Sequence, residues 1–301
     1  MNNETLVEEF LTYLRAERGL SVHTQSGYRN DLRQLYTYAQ REKRAWPPDI
    51  ETVIGFLKSI QGIKKPASIA RAISAAKAFF KYLFLEQYIT EDRGSFLESP
   101  KLWKTLPKIL HAHEVTRAME LPDQSTDEGI RDRAILELLY GTGIRVSELC
   151  ALCITDISDD VIKVKGKGGK ERLVPIGGCA LEAVDKYLLA VRQKFDSLNS
   201  TQLFVTKRGK PVSRVFVWRL VRMYAAKSGI EKEISPHTFR HTYASHLLDA
   251  GADPRVIQEL LGHAHISSTD RYTQVSCSQL KEVFRAFHPR WNEWKDEKTE
   301  K

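Results

Sequence analysis

The sequence predicts a mainly helical protein of two domains, with one small β-hairpin in the second, an α+β domain. Three observations lead there. The 301 residues make roughly two domains at ~150 residues each. Apolar residues recur at helical spacing, beginning with Leu6, Val7, Phe10, Leu11 and Leu14. Two short β-like runs, VIKVK (161–165) and ERLVPI (171–176), flank the glycine-rich joint GKGGK, a hairpin signal.

The first helical stripe ends by Gly19, and Ser21 stands at an N-cap position before a second one through Tyr28, Leu32, Leu35 and Tyr36. Pro47-Pro48 punctuates the chain, and Asp49 caps a third helix to about Ser59. Pro66 opens a fourth through Ile69, Ile73, Phe79, Phe80 and Leu83. Residues 93–108 break the pattern with Gly94, Pro100 and Pro107, which predicts a linker between domains at 1–105 and 107–301. The first domain also carries Arg15, Arg18, Arg29, Arg33, Arg71, Lys77 and Lys81 among other cations. These fit a solvated helix surface and a phosphate-following one about equally well.

In the second domain, 130–140 reads as a helix stopped by Gly141 and Gly143, and 146–152 as another. After the hairpin, helices resume at Leu181. In the segment 235–263, Phe239, Tyr243, Leu247 and Leu248 supply a buried helix face that Gly251 ends. Asp253-Pro254 then starts a new helix and Gly262 stops it.

Composition narrows the function classes. A chain with 42% hydrophobic and 28% charged residues is neither collagen-like nor wholly disordered. The net charge of +8 favours polyanionic partners. Four cysteines are too few for a disulfide scaffold. The acidic start MNNETLVEEF is unlike a signal peptide. No apolar run reaches the ~18 residues of a membrane span. The reading is a cytoplasmic protein in a reducing compartment, with no membrane association.

The chemistry concentrates in a few places. His237 and Arg240, three apart, share a helix face. His237 and His241 are spaced as a helical metal pair, but Thr238 stands where a zincin has glutamate, so no metal site is assigned. His263 follows a helix C-terminus. In GTGIRVSEL (141–149), Arg145 either caps preceding carbonyls or binds phosphate with its planar guanidinium. Lys167 at the hairpin tip is either solvated or free to reach into a cleft. Tyr272 has no claim alone. Together, two arginines, a lysine, two histidines and a tyrosine suit phosphoryl transfer without a metal or cofactor. Arginines can answer the charge of a pentacoordinate phosphate, and a tyrosine oxygen can attack it.

In this order and spacing the chain resembles the tyrosine recombinases of the phage-integrase family, nearest the Xer group. The matches are GTGIRVSEL, GKGGKERLVP, SPHTFRHTYASHLL, LLGHAHISST and RYTQV, with SVHTQSGYRNDLRQL and KTLPKIL earlier in the chain. The resemblance implies a helical core-binding domain of SAM-like type and a catalytic domain that together form a C-shaped clamp on duplex DNA. It implies that Arg145 and Arg240 clamp the scissile phosphate and that Lys167 protonates the departing 5′ oxygen. His237 would assist proton removal, His263 would bond a non-bridging oxygen, and Tyr272 would form the 3′-phosphotyrosyl link. Partners implied are a DNA recombination site, a homo- or hetero-tetramer with a paralogue, and for some members a septal DNA translocase. A C-terminal segment, Leu280–Trp294, would dock on the neighbouring subunit through Val283, Phe284 and Phe287. The implied task is resolution of chromosome or plasmid dimers at cell division.

Some features stand apart from that pattern. Asp270 and Arg271 precede the tyrosine where the Xer group often has uncharged residues, so Arg271 either favours the phenolate or meets DNA. Cys150 and Cys153 form a CxxC read as helix packing. The rival readings are a type IB topoisomerase, a transposon or phage integrase, an inactive DNA-binding regulator and a metal-dependent nuclease. The complete reactive set, the two-domain resemblance and the lack of a carboxylate cluster favour the recombinase over the topoisomerase, the regulator and the nuclease, whereas the chemistry does not separate it from a transposon or phage integrase.

Overall fold

The computed structural model describes residues 3–18, 20–98, 109–158, 160–166, 171–196, 199–232, 234–262 and 277–290. The chain divides into two compact units, Met1–Thr105 and Leu106–Lys301.

The first unit holds four helices, α1 (Asn3–Ala16), α2 (Val22–Arg41), α3 (Ile50–Ile60) and α4 (Pro66–Leu85). Their starts follow local chemistry. Ser21 Oγ accepts the Thr24 amide at 3.2 Å, and the Asp49 carboxylate accepts that of Thr52 at 2.7 Å. Pro66 occupies the first turn of α4, where its missing N–H costs nothing. Phe10, Leu32, Leu35, Phe79 and Leu83 are fully buried between the helices, with the Phe10 and Phe79 rings edge-on at 5.3 Å. The structure divides this unit's cations. Arg71 neutralises the buried Asp31 at 2.7 Å and ties α4 to α2, whereas Arg15, Arg18, Arg33, Lys65 and Lys81 lie exposed.

The second unit is built around α6 (Asp127–Thr142), preceded by α5 (Ala112–Glu120). The hairpin strands are β2 (Val161–Lys165) and β3 (Glu171–Pro175), and the two-residue β1 (Ile157–Ser158) adds a third antiparallel strand. A short α7 (Val146–Ala151) precedes the sheet. After it, α8 (Gly178–Tyr187) runs through a π-helical turn into α9 (Gln193–Phe195). Then come α10 (Arg214–Lys227), α11 (Pro236–Asp249), α12 (Pro254–Leu261) and α13 (Cys277–Phe287). The mainly helical class with one small sheet is therefore as expected. Among the described residues, no helix is long and apolar enough to cross a membrane.

Four local expectations are corrected. Gly141 does not stop its helix: α6 continues to Thr142, and a Cβ at Gly141 would lie 3.2 Å from Ala180 Cβ, so it admits α8. Helix α8 starts at Gly178, three residues before Leu181. Leu248 is 52% exposed, because the buried stripe of α11 ends at Leu247. Cys153 lies beyond the end of α7, so the CxxC is not one helical pair, and burial pushes the Cys150 thiol up to about 11.

The C-terminal segment packs locally in the single chain. Leu280 and Phe284 are buried in this chain's own core, with Val283 and Phe287 packed beside them. Arg290 forms a buried ion pair with Glu137 on α6. In the single chain, the apolar face expected to dock on a neighbour packs on the chain's own core. Residues 291–301 lie outside the described residues.

Candidate active site

Gly143 closes α6 with a φ of 60°, the left-handed region that favours glycine. A Cβ there would also fall 2.5 Å from Cδ1 of the fully buried Tyr243. The chain then turns through buried Ile144 into α7, whose N-cap is Arg145. Glu148, at the third position of α7, accepts the Arg145 backbone N–H at 2.8 Å and its Nη1 at 2.9 Å. Gly143→Ala should therefore lower the stability of this unit. The left-handed backbone costs ~1–2 kcal/mol and the overpacking ~1–3 kcal/mol, or about 10 °C in melting temperature at this size. An unchanged thermal transition would refute this account of the turn.

Helix α11 begins with Ser235 as N-cap and Pro236 in its first turn. Thr238 Oγ1 accepts the Ser235 amide at 3.1 Å, which gives that threonine a capping task. His237 faces solvent on the first turn. One turn on, the buried Arg240 donates from Nη1 to the Gly143 carbonyl at 2.7 Å and from Nη2 to that of Leu261 at 2.5 Å. It is Arg240, not Arg145, that caps the carbonyl end of α6.

Helix α12 is capped at its start by Asp253 and ends at Gly262, with φ 65°. Its last carbonyls each receive an arginine. Arg172 Nε donates to Leu260 at 3.2 Å, Arg240 to Leu261, and Arg145 Nη2 to Gly262 at 3.1 Å. Cations belong at a helix C-terminus, where the backbone dipole is negative. Here three converge from α7, α11 and β3. Arg145 and Arg172 share the Glu148 carboxylate, and Arg172 bonds both its oxygens at 3.0 and 2.9 Å. Three guanidinium charges against one carboxylate leave a net of about +2 in a half-buried site, which calls for an anion.

The electrostatics show this excess. Burial and then Arg145 pull Arg240 down to about 10, so it remains a cation at neutral pH. Burial pushes Glu148 up, but the hydrogen bonds and charge of Arg172 and then Arg145 outweigh it and bring Glu148 below the usual glutamate value, so it stays ionised. Desolvation, then His241, Arg240 and Arg145, hold His237 below the ordinary histidine value. Its imidazole is therefore neutral at pH 7 and able to accept a proton.

The structure thus brings Arg145, His237 and Arg240 to one place. Lys167, His263 and Tyr272, like Asp270 and Arg271, lie outside the described residues, although Gly262 and Cys277 bracket the last four. Sequence reasoning did not single out Glu148 and Arg172. One signal was available: Arg172 occupies the inward phase of β3, opposite buried Val164, where a charge demands a partner. Among the described residues, no group of three or more His, Cys, Asp or Glu could hold a metal ion.

Residues 108–279 match the phage integrase family, and residues 7–87 match its N-terminal SAM-like domain. The chain belongs to the phage integrase family. It is a site-specific tyrosine recombinase of the Xer group, as its full-length relatives show. The recombinase is 41% identical over 294 residues to tyrosine recombinase XerD of Staphylococcus haemolyticus, covering 95% of this chain and 99% of the relative. To tyrosine recombinase XerC of Thermodesulfovibrio yellowstonii it is 42% identical over 298 residues, covering 96% and 97%. Its fold is shared with a crystal structure of the XerH site-specific recombinase bound to difH substrate in a pre-cleavage complex. That likeness has a TM-score of 0.67 at 22% identity and covers 92% of this chain and 83% of the other.

Proposed function

We propose that this recombinase cleaves and rejoins duplex DNA at a recombination site through a 3′-phosphotyrosyl intermediate. The observation that carries the reading is the cationic cluster of Arg145, Arg172 and Arg240 around Glu148 at the end of α12. The scissile phosphate is the anion that this cluster lacks. Arg145 and Arg240 neutralise its non-bridging oxygens, and His263, directly after Gly262, bonds one of them. The Tyr272 hydroxyl loses its proton with help from His237 and forms an O–P bond. The bond to the 5′ oxygen breaks, and Lys167 protonates that oxygen as it leaves. The bond energy is kept in the ester, and a partner strand's 5′ hydroxyl reverses the step without ATP. Guanidinium groups do the charge work a metal ion does elsewhere.

The division of labour follows the two units. Residues 1–105 form a helical DNA-binding domain, and exposed Arg15, Arg18, Arg33, Lys65 and Lys81 supply its phosphate contacts. Residues 107–301 form the catalytic domain. The active assembly is a tetramer on two DNA sites, formed with itself or with a paralogue. Near-equal identity to an XerD and an XerC relative leaves both arrangements supported. The proposed task is resolution of chromosome or plasmid dimers in the cytoplasm at cell division, under a septal translocase where one is present.

Covalent trapping tests the reading. Protein is mixed with nicked genomic duplex fragments in EDTA, denatured and examined for protein joined to DNA, whose sequence then names the site. Fragments that bind but never become joined would sink it. The pH dependence adds a second test. If neutral His237 takes the proton, single-turnover cleavage rises with pH through a value below 6.5 and then levels off. In His237→Gln that acid limb should vanish and the plateau fall by about 10²-fold. An acid limb unchanged in the variant would assign the proton to another group.

A further inference from the structure

Arg172 adds charge to the cluster but has no step of its own in the chemistry just described. It stands on β3 with Val164 as its cross-strand partner, on the side of the sheet where Ile162, Val164 and Val174 are buried. Its guanidinium meets Glu148 fork to fork, at 3.0 and 2.9 Å, while its Nε holds the Leu260 carbonyl at 3.2 Å. The same carboxylate takes two further hydrogen bonds, both from Arg145. Its acceptor capacity is thus filled, half by each arginine. Exposure orders the three side chains from back to front: Glu148 at 4%, Arg172 at 16% and Arg145 at 35%.

Two consequences follow from that arrangement. A carboxylate held by Arg145 alone can swivel about its own side chain, whereas the bidentate contact from the sheet fixes its plane. A carboxylate shared by two guanidiniums also leaves net positive charge, whereas the pair Glu148–Arg145 alone is neutral. Gly262 lies against the same guanidinium, since a Cβ there would meet its Cζ at 3.1 Å. The carbonyl end of α12 is registered on Arg172 as well.

We infer that Arg172 is a positioning residue for strand cleavage: through Glu148 it sets the orientation and the available charge of Arg145. This rests on the reading of Arg145 as a phosphate clamp. Lysine at 172 would keep a charge but cannot span both carboxylate oxygens and the Leu260 carbonyl.

The test uses full-length protein and a nicked duplex carrying the trapped site, with the scissile linkage made as a phosphodiester or as an uncharged methylphosphonate. Single-turnover cleavage, DNA affinity and melting temperature are measured for wild type, Arg172→Lys, Arg172→Ala and Arg145→Ala. On the phosphodiester, both Arg172 variants should bind DNA as wild type does and cleave slower by on the order of 10²-fold. On the methylphosphonate, which presents less charge for Arg145 to balance, their deficit should shrink, in parallel with that of Arg145→Ala. Three results would overturn the inference: wild-type cleavage by Arg172→Lys, an equal deficit on both linkages, or losses that simply follow melting temperature. Should Arg145→Ala itself cleave the phosphodiester normally, the clamp reading and this inference fall together. A deficit in Arg145→Ala without one in the Arg172 variants removes the inference alone.

Discussion

Tyr272→Phe should abolish covalent capture of DNA and leave non-covalent binding unchanged. A free tyrosine has a pKa near 10 and attacks poorly at neutral pH unless a base and positive charge stand by. In the proposed reading, neutral His237 and the cluster of Arg145 and Arg240 provide both. Phenylalanine keeps the ring and removes the only atom that can bond phosphorus. The loss expected for removing a nucleophile from a group of residues that act together is on the order of 10⁶-fold, which appears as no adduct. Denaturing gels of trapped complexes read the result, with a gel shift as the binding control. An adduct persisting in Tyr272→Phe would move the nucleophile elsewhere, and mapping the linked peptide would then locate it.

Arg240→Ala is the variant with the next largest expected effect, and its loss has two parts. Removing a positioned donor from developing charge costs about 10²–10³-fold in rate. The substitution also orphans the Gly143 and Leu261 carbonyls that Arg240 bonds. An unpaired buried acceptor costs about 1–3 kcal/mol, and these two lie on the turn before Arg145 and at the end of α12. The damage therefore spreads to the neighbouring guanidinium, and total cleavage should fall by more than 10³-fold. Arg240→Lys should recover little, because an ammonium cannot reach both carbonyls with the geometry of a planar fork. Single-turnover rates on a nicked duplex, alongside melting curves, separate the two parts. Cleavage within about tenfold of wild type would show that the cluster does not face the phosphate.

The parts of this structure that local chemistry decides were legible in the chain. Ser21, Asp49 and Asp253 cap helices because each side chain reaches an amide two or three residues on. Gly143 and Gly262 end helices because the backbone turns left-handed there. What depends on distant segments was not legible. A glycine at 141 looks like a stop until the approach of Ala180 explains it. The apolar stripe of α13 announces burial without saying in which molecule. Helix α6 is legible as a helix over 130–140, but its burial on nearly every side depends on the elements packed around it. At the site, His237 and Arg240 follow from their spacing on one helix. The tie from Glu148 to Arg172, 24 residues on, exists only once β3 lies beside α7. The roles of Lys167, His263 and Tyr272 rest on the family resemblance.

The arginine cluster also bears on ionic strength. If the exposed cations of the first unit hold the DNA backbone as proposed, dissolved ions compete for those contacts and affinity must fall steeply as salt rises. Arg145, Arg172 and Arg240 are held instead by Glu148 and by four backbone carbonyls, among them those of Gly143 and Leu261. Those partners are covalent parts of the same domain, and mobile ions compete less well for buried and half-buried contacts than for exposed ones. Rising salt therefore acts on how much DNA is engaged far more than on how fast an engaged phosphate is cut. On the proposed reading, the protein can let go of the wrong duplex without dismantling the site that will cut the right one.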